Sequence, residues 1–175
     1  MKKTVIIDTD PGTDDALALI MAMNSPELDI IGITTIAGNA RITDTTLNAL
    51  RIMNYLGYSH VPVFQGSKQP LEGNYQFGYD YHGLKGLPVE LPISNTKSQT
   101  QDAHEYLIDC GKKFPRVITI IALGPLTNVA RAILTEPRLV HWINKIIIMG
   151  GAFEVEGNRT PYAEFNILND AYAAH

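Results

Sequence analysis

Five short runs of apolar, mostly β-branched residues recur along the chain: Val5–Ile7, Leu28–Thr35, Val61–Phe64, Val117–Ala122 and Lys145–Met149. Each reads as a buried strand. Helical periodicity occupies the intervals. Asp14–Met23 places Ala16, Leu19, Ile20 and Met23 on one face, and Ile42–Leu56 does so through Leu47, Leu50 and Tyr55. Thr100–Lys113 reads as a helix, as does Leu126–Leu134, which follows Pro125. Asp170–His175 reads as the opening of another. Residues 66–99 carry many Gly, Pro, Tyr and Ser residues without a period and read as a long loop. Alternating strands and helices with near-continuous apolar strands predict an α/β fold. Its sheet is mostly parallel with helices on both faces, a Rossmann-like core. The 175 residues suit a single domain, 1–175.

In such sheets ligands bind outside the carboxyl ends of the strands. The polar clusters fall there: Asp8–Asp15, Thr34–Asn39, Leu123–Asn128 and Gly150–Asn166. The first holds four carboxylates in eight positions, Asp8, Asp10, Asp14 and Asp15, around a Pro11-Gly12 turn. Asp14 and Asp15 lie where a helix begins, and the helix dipole favours anions there. Capping explains one carboxylate, not four. So many like charges resist burial unless a cation sits among them. A hard, oxygen-ligated cation, Ca²⁺ or Mg²⁺ rather than Zn²⁺, is the expectation. Asp10 and Asp15 are the candidate ligands, and Asp14 suits vicinal hydroxyls.

The other clusters say less alone. Asn39 after Gly38 is an ordinary turn pair. The Gly124-Pro125 turn frees the Leu123 carbonyl for a hard metal, but the segment equally reads as a loop and a helix start. Gly157–Asn166 gathers Asn158, Glu164, Phe165 and Asn166 around Pro161, and such amides and carboxylates suit sugar hydroxyls. His82 lies among Tyr75, Phe77, Tyr79 and Tyr81, which either line a base pocket or pack the loop down.

Composition narrows the partners. The net charge of −4, from 14 basic and 18 acidic residues, argues against nucleic acid. No apolar run approaches a membrane span, and the Val5–Ile7 run is cut by Asp8, unlike a signal peptide. The lone Cys110 excludes an intramolecular disulfide, so a reducing cytoplasmic setting is expected.

The opening Asp8-Thr9-Asp10-Pro11-Gly12-Thr13-Asp14-Asp15-Ala16 resembles the signature of the nucleoside hydrolases, the inosine-uridine preferring family. Asn39, Leu123–Asn128 and Ala163-Glu164-Phe165-Asn166 are similar to its later blocks, in order. The resemblance implies hydrolysis of the N-glycosidic bond of ribonucleosides to ribose and free base, as in purine and pyrimidine salvage. It implies one Ca²⁺, held by Asp10, Asp15 and the Leu123 carbonyl, with Asp10 also the general base for the calcium-bound water. Asp14, Asn39, Asn158, Glu164 and Asn166 would hold the ribose, with Met149 and Phe165 beside it. A homo-oligomer, dimer or tetramer, is also implied.

Family members run on well past residue 175 and there carry a further Asp ligand and often a His serving the leaving base. The resemblance therefore implies the N-terminal portion of a longer domain, with slow or absent turnover alone. Lys85 stands where the family often has a small or acidic residue. Two other readings compete. In a haloacid-dehalogenase-like, Mg²⁺-dependent phosphotransferase, Asp8 is the nucleophile and Asp10 the acid/base. That leaves Asp14, Asp15 and Ala163–Asn166 without a role. A non-catalytic ribose- or nucleoside-binding fragment keeps the pocket without turnover.

Overall fold

The computed structural model describes residues 2–175. Five strands, β1 (Lys3–Thr9), β2 (Leu28–Thr35), β3 (Val63–Gln65), β4 (Thr119–Ala122) and β5 (Lys145–Ile148), form one sheet ordered β3-β2-β1-β4-β5. Every pairing is parallel. The chain runs outward from β1 to β3, then returns across β1 to place β4 on its other side. The order therefore reverses between β1 and β4, the position where open α/β sheets form their ligand crevice.

Alternation along β1 divides the core. Val5 and Ile7 point to one face, where α1 (Thr13–Met23) and α2 (Ile42–Tyr55) bury Leu19, Met23, Ala49 and Met53 against them. Ile6 points to the other face. There it meets Leu107 of α4 (Ala103–Lys113), Val129 and Ala132 of α5 (Thr127–Thr135), and Leu139 of α6 (Leu139–Trp142). Strand β1 is thus buried on both faces, as parallel strands with covering helices require.

Two features depart from the sequence expectation. The cover is incomplete at β5, an edge strand whose Ile147 and Ile148 are 47% and 48% exposed. No helix among the described residues closes over both of its sides. The 66–99 segment is irregular as expected, apart from the single turn α3 (Tyr79–His82), but it is tied down along its length. Ser67 N–H donates to Asn128 Oδ1, Leu71 N–H to Asp170 Oδ2 and Gln76 N–H to Asn169 Oδ1, while Asn48 Nδ2 donates to the Lys85 carbonyl. Asn169 ends the short helix α7 (Phe165–Asn169), and Asp170 caps the next, α8 (Ala171–Ala174). No described helix is long and apolar enough to cross a membrane.

Candidate active site

β1 carries Asp8 and Thr9 straight into Asp10, and Pro11-Gly12 then turns the chain into α1 with Gly12 at its N-cap. Asp8, Asp10 and Asp15 are fully buried. Asp15 accepts from Thr9 Oγ1 at 2.5 Å on one oxygen, and from Gly12 N at 3.1 Å and Asn39 Nδ2 at 3.0 Å on the other. Capping thus accounts for part of what Asp15 does. Asp10 Oδ2 accepts from Asn39 N at 2.7 Å, whereas its Oδ1 is buried with no hydrogen-bond partner. Two glycines let the neighbouring strand-end loops close on this carboxylate. A Cβ at Gly38 would lie 2.1 Å from Asp10 Oδ2, and one at Gly124 2.5 Å from Oδ1.

Burial, with the Asp15 charge second, raises the Asp10 pKa well above the usual carboxylate range. Burial also pushes Asp15 and Asp8 up to about 6, against hydrogen bonds from Thr9 to Asp15 and from Asn128 and Thr34 to Asp8. Three carboxyls held this way either keep protons or require a cation.

The residues present fit a hard cation in part. Asp10 Oδ1 is an unsatisfied anionic donor, and Asp15 Oδ1 keeps a lone pair beside the Thr9 bond. The Leu123 carbonyl emerges at the end of β4 and already accepts from Asn166 Nδ2 at 2.7 Å, which leaves one lone pair. Among the described residues no three carboxylate, imidazole or thiolate groups converge on one point. The donor set is therefore two carboxylates and a carbonyl. Calcium takes six to eight oxygens, so this set fits an ion completed by waters, hydroxyls or further ligands.

In front of the cluster lies one pocket. Asp14, Asn39, Leu123 and Met149 line it, as do Asn158, Glu164, Phe165 and Asn166. All sequence-predicted substrate residues are therefore brought together, with Asp10 and Asp15 behind Asn39. Some are already engaged. Glu164 caps α7, accepting Asn166 N–H on one oxygen and Ile167 and Gly151 N–H on the other. Asn166 Nδ2 bridges Leu123 O and Met149 O, and Asn158 Oδ1 accepts Phe165 N–H. Asn39 holds both carboxylates in place as well as facing the pocket.

Four more residues reach the pocket: Gly78, Tyr81, His82 and Arg159. His82 Nδ1 accepts Thr13 N–H at 3.2 Å, which assigns the proton of a neutral ring to Nε2, 3.8 Å from Asp14 Oδ1. Periodicity carries no signal for this placement, because a 69-residue separation joins α3 to the start of α1.

Asp8 is a structural anchor. Its Oδ1 accepts Thr34 Oγ1 at 2.6 Å and Asn128 Nδ2 at 2.8 Å, and it is 0% exposed. The phosphotransferase reading requires a nucleophilic Asp8, whereas these two bonds tie one of its oxygens to β2 and α5, and its other oxygen is buried without a partner. Asn128 also donates to the Thr35 carbonyl and accepts Ser67 N–H, so one amide joins β1, β2 and the long loop. Asn128→Ala is expected to cost about 3 kcal/mol by orphaning these buried groups. Urea denaturation checks it, and a loss under about 1 kcal/mol contradicts the anchoring role.

The profile of the family described as inosine-uridine preferring nucleoside hydrolase matches residues 5–175. The chain is 45% identical over 172 residues to uridine nucleosidase 1 of Arabidopsis thaliana, covering 97% of this chain and 51% of that protein. It is 36% identical over 178 residues to the inosine-uridine preferring nucleoside hydrolase of Crithidia fasciculata, covering 100% and 56%. Among solved structures, a plant nucleoside hydrolase superposes with a TM-score of 0.95 at 45% identity, over 99% of this chain and 56% of that one. The chain spans about half the length of the curated relatives it matches.

Proposed function

Because the chain belongs to the inosine-uridine preferring nucleoside hydrolase family, we propose that it serves hydrolysis of the N-glycosidic bond of ribonucleosides, yielding ribose and free base. The carrying observation is the unpartnered, buried Asp10 Oδ1 behind a pocket whose walls are rich in hydroxyl-binding groups. Asp10, Asp15 and the Leu123 carbonyl would hold calcium. Calcium bound there would lower the pKa of water and gather the sugar hydroxyls.

The chain's own groups then have defined work. Asp10, made more basic by burial and by Asp15, accepts the proton of the attacking water. Asp14, whose side chain is 61% exposed at the pocket, accepts from a sugar hydroxyl. Departure of the base leaves positive charge on the sugar ring, as in other glycoside chemistry. Carboxylates fixed close to that ring stabilise the charge without having to reorganise. Asn158, Glu164 and Asn166 form the opposite wall, held rigid by their backbone bonds, with Met149 and Phe165 supplying apolar contact.

Reducing-sugar release from uridine and inosine, with and without chelator, tests the proposal. The expected result is release that stops when calcium is removed. Turnover is expected to be slower than in relatives about twice as long, since only three calcium positions are filled from these residues. Calorimetric binding of ribose with no base release under any condition would instead assign a binding module.

A further inference from the structure

Asn169 is buried at the end of α7, and its carboxamide turns both of its ends to one residue of the long loop. Oδ1 accepts Gln76 N–H at 2.7 Å, and Nδ2 donates to the Gln76 carbonyl at 3.2 Å. A side-chain amide paired this way acts as a residue of a neighbouring strand would, and it fixes both the position and the orientation of its partner. Asn169 does not line the pocket and has no part in the hydrolysis proposed for it.

The pair joins two walls of that pocket. On one side, α7 also carries Asn166, three residues back and on the same helical face. On the other, Gln76 lies two residues before Gly78, which lines the pocket together with Tyr81 and His82. This loop wall is bonded on its far side: Gly78 N–H donates to the Asn39 carbonyl at 3.1 Å, and Thr13 N–H to His82 Nδ1 at 3.2 Å. Toward the α7 side, the Asn169 tether lies closest to the pocket residues, and Leu71 N–H meets Asp170 Oδ2 farther back along the loop. The Asn169–Gln76 pair therefore sets the gap between the two walls.

The groups assigned to the sugar are held independently of this pair. Glu164 is fixed by the α7 backbone, Asn166 by the Leu123 and Met149 carbonyls, and Asn39 by Asp10 and Asp15. The part of a ribonucleoside beyond its ribose is a planar base, and Tyr81 and His82 carry planar rings that suit it. Gln76 is exposed, so its N–H and C=O can turn to water once the tether is cut. What changes then is the position of the wall, not the satisfaction of the Gln76 backbone.

We propose that Asn169 is a positioning residue for the nucleobase: through Gln76 it holds the wall carrying Tyr81 and His82 at the separation from α7 that a nucleoside fills. The inference rests on the ribonucleoside reading above and assigns to it a residue outside the pocket.

Calorimetric titration of the calcium-loaded protein with ribose, pseudouridine and formycin B tests it. The bases of these two nucleosides are joined through carbon, so hydrolysis does not release them. At least one of the two is expected to bind the wild type more tightly than ribose does. Asn169→Ala is expected to weaken that nucleoside at least about fivefold and to leave ribose within about twofold. Asn169→Asp, which still accepts the Gln76 N–H, is expected to keep part of the nucleoside affinity. Nucleoside affinity unchanged by Asn169→Ala, ribose and nucleoside weakened alike, or a wild type in which the base adds nothing to ribose overturns the inference and leaves the ribose site standing. A wild type that binds neither sugar nor nucleoside overturns both.

Discussion

In the presence of a chelator the protein is expected to lose stability as the pH rises from 4 to 7, and calcium is expected to restore it. Asp8 and Asp15 hold their protons up to about pH 6 in the fold, against an ordinary carboxyl value of 3.8. Below that ordinary value both the folded and unfolded states are protonated, and the stabilising contribution is complete. Between about 4 and 6 the unfolded chain ionises while the fold keeps its protons, so stability falls as pH rises through the folded values. A two-unit shift corresponds to about 3 kcal/mol per group, and Asp10 acts in the same direction. Calcium held by the ionised carboxylates of the native state, as proposed, would act the opposite way. At a thousandfold excess over Kd it contributes about 4 kcal/mol, or about 10 °C in a chain of this size. Thermal melts with and without calcium should therefore show a difference near zero at pH 4 that grows to its full size by pH 7. A calcium increment that is the same at both pH values would contradict this origin.

Asp10→Asn is expected to abolish calcium-dependent release of base from ribonucleosides, by about a thousandfold or more. The substitution preserves shape. An amide oxygen can still accept the Asn39 N–H, and Gly38 and Gly124 still accommodate the side chain. What is lost is the charge and the basic oxygen at the unpartnered Oδ1 position. The same change removes a carboxyl whose ionisation is opposed first by burial and then by the Asp15 charge, so without metal at neutral pH the variant should melt higher than the wild type. Loss of activity together with a gain of metal-free stability separates a functional charge from a structural one. A variant that loses activity and also melts lower in chelator would assign Asp10 to the scaffold.

Much of the architecture was legible because it rests on short-range pattern. The apolar runs located all five strands to within two residues, and the turn at Pro11-Gly12 located the acidic cluster. The polar clusters holding Asp14, Asn39 and Asn166 could be placed together because strand ends in a parallel sheet share one edge, but Asn39 read alone as a turn residue, and its role followed only from the family resemblance. Contacts between distant segments were not legible. His82 reaches α1 through a loop without a period, and Asn128 meets Asp8 across 120 residues. Glu164 stands out in the sequence as a sugar ligand, yet its oxygens also serve as the cap of α7, a dual role that depends on local backbone geometry. The exposure of β5 was hidden for another reason. Its Ile-rich run reads as buried, and composition does not record which neighbour covers a strand.

Calorimetric titration of calcium into chelator-treated protein at pH 7, repeated on Asp10→Asn, tests the central claim most directly. One ion per chain in the wild type, with affinity lowered at least about a hundredfold in the variant, is the predicted result. No binding heat in the wild type, or equal affinity in the two proteins, would show that the buried aspartates do not form a cation site.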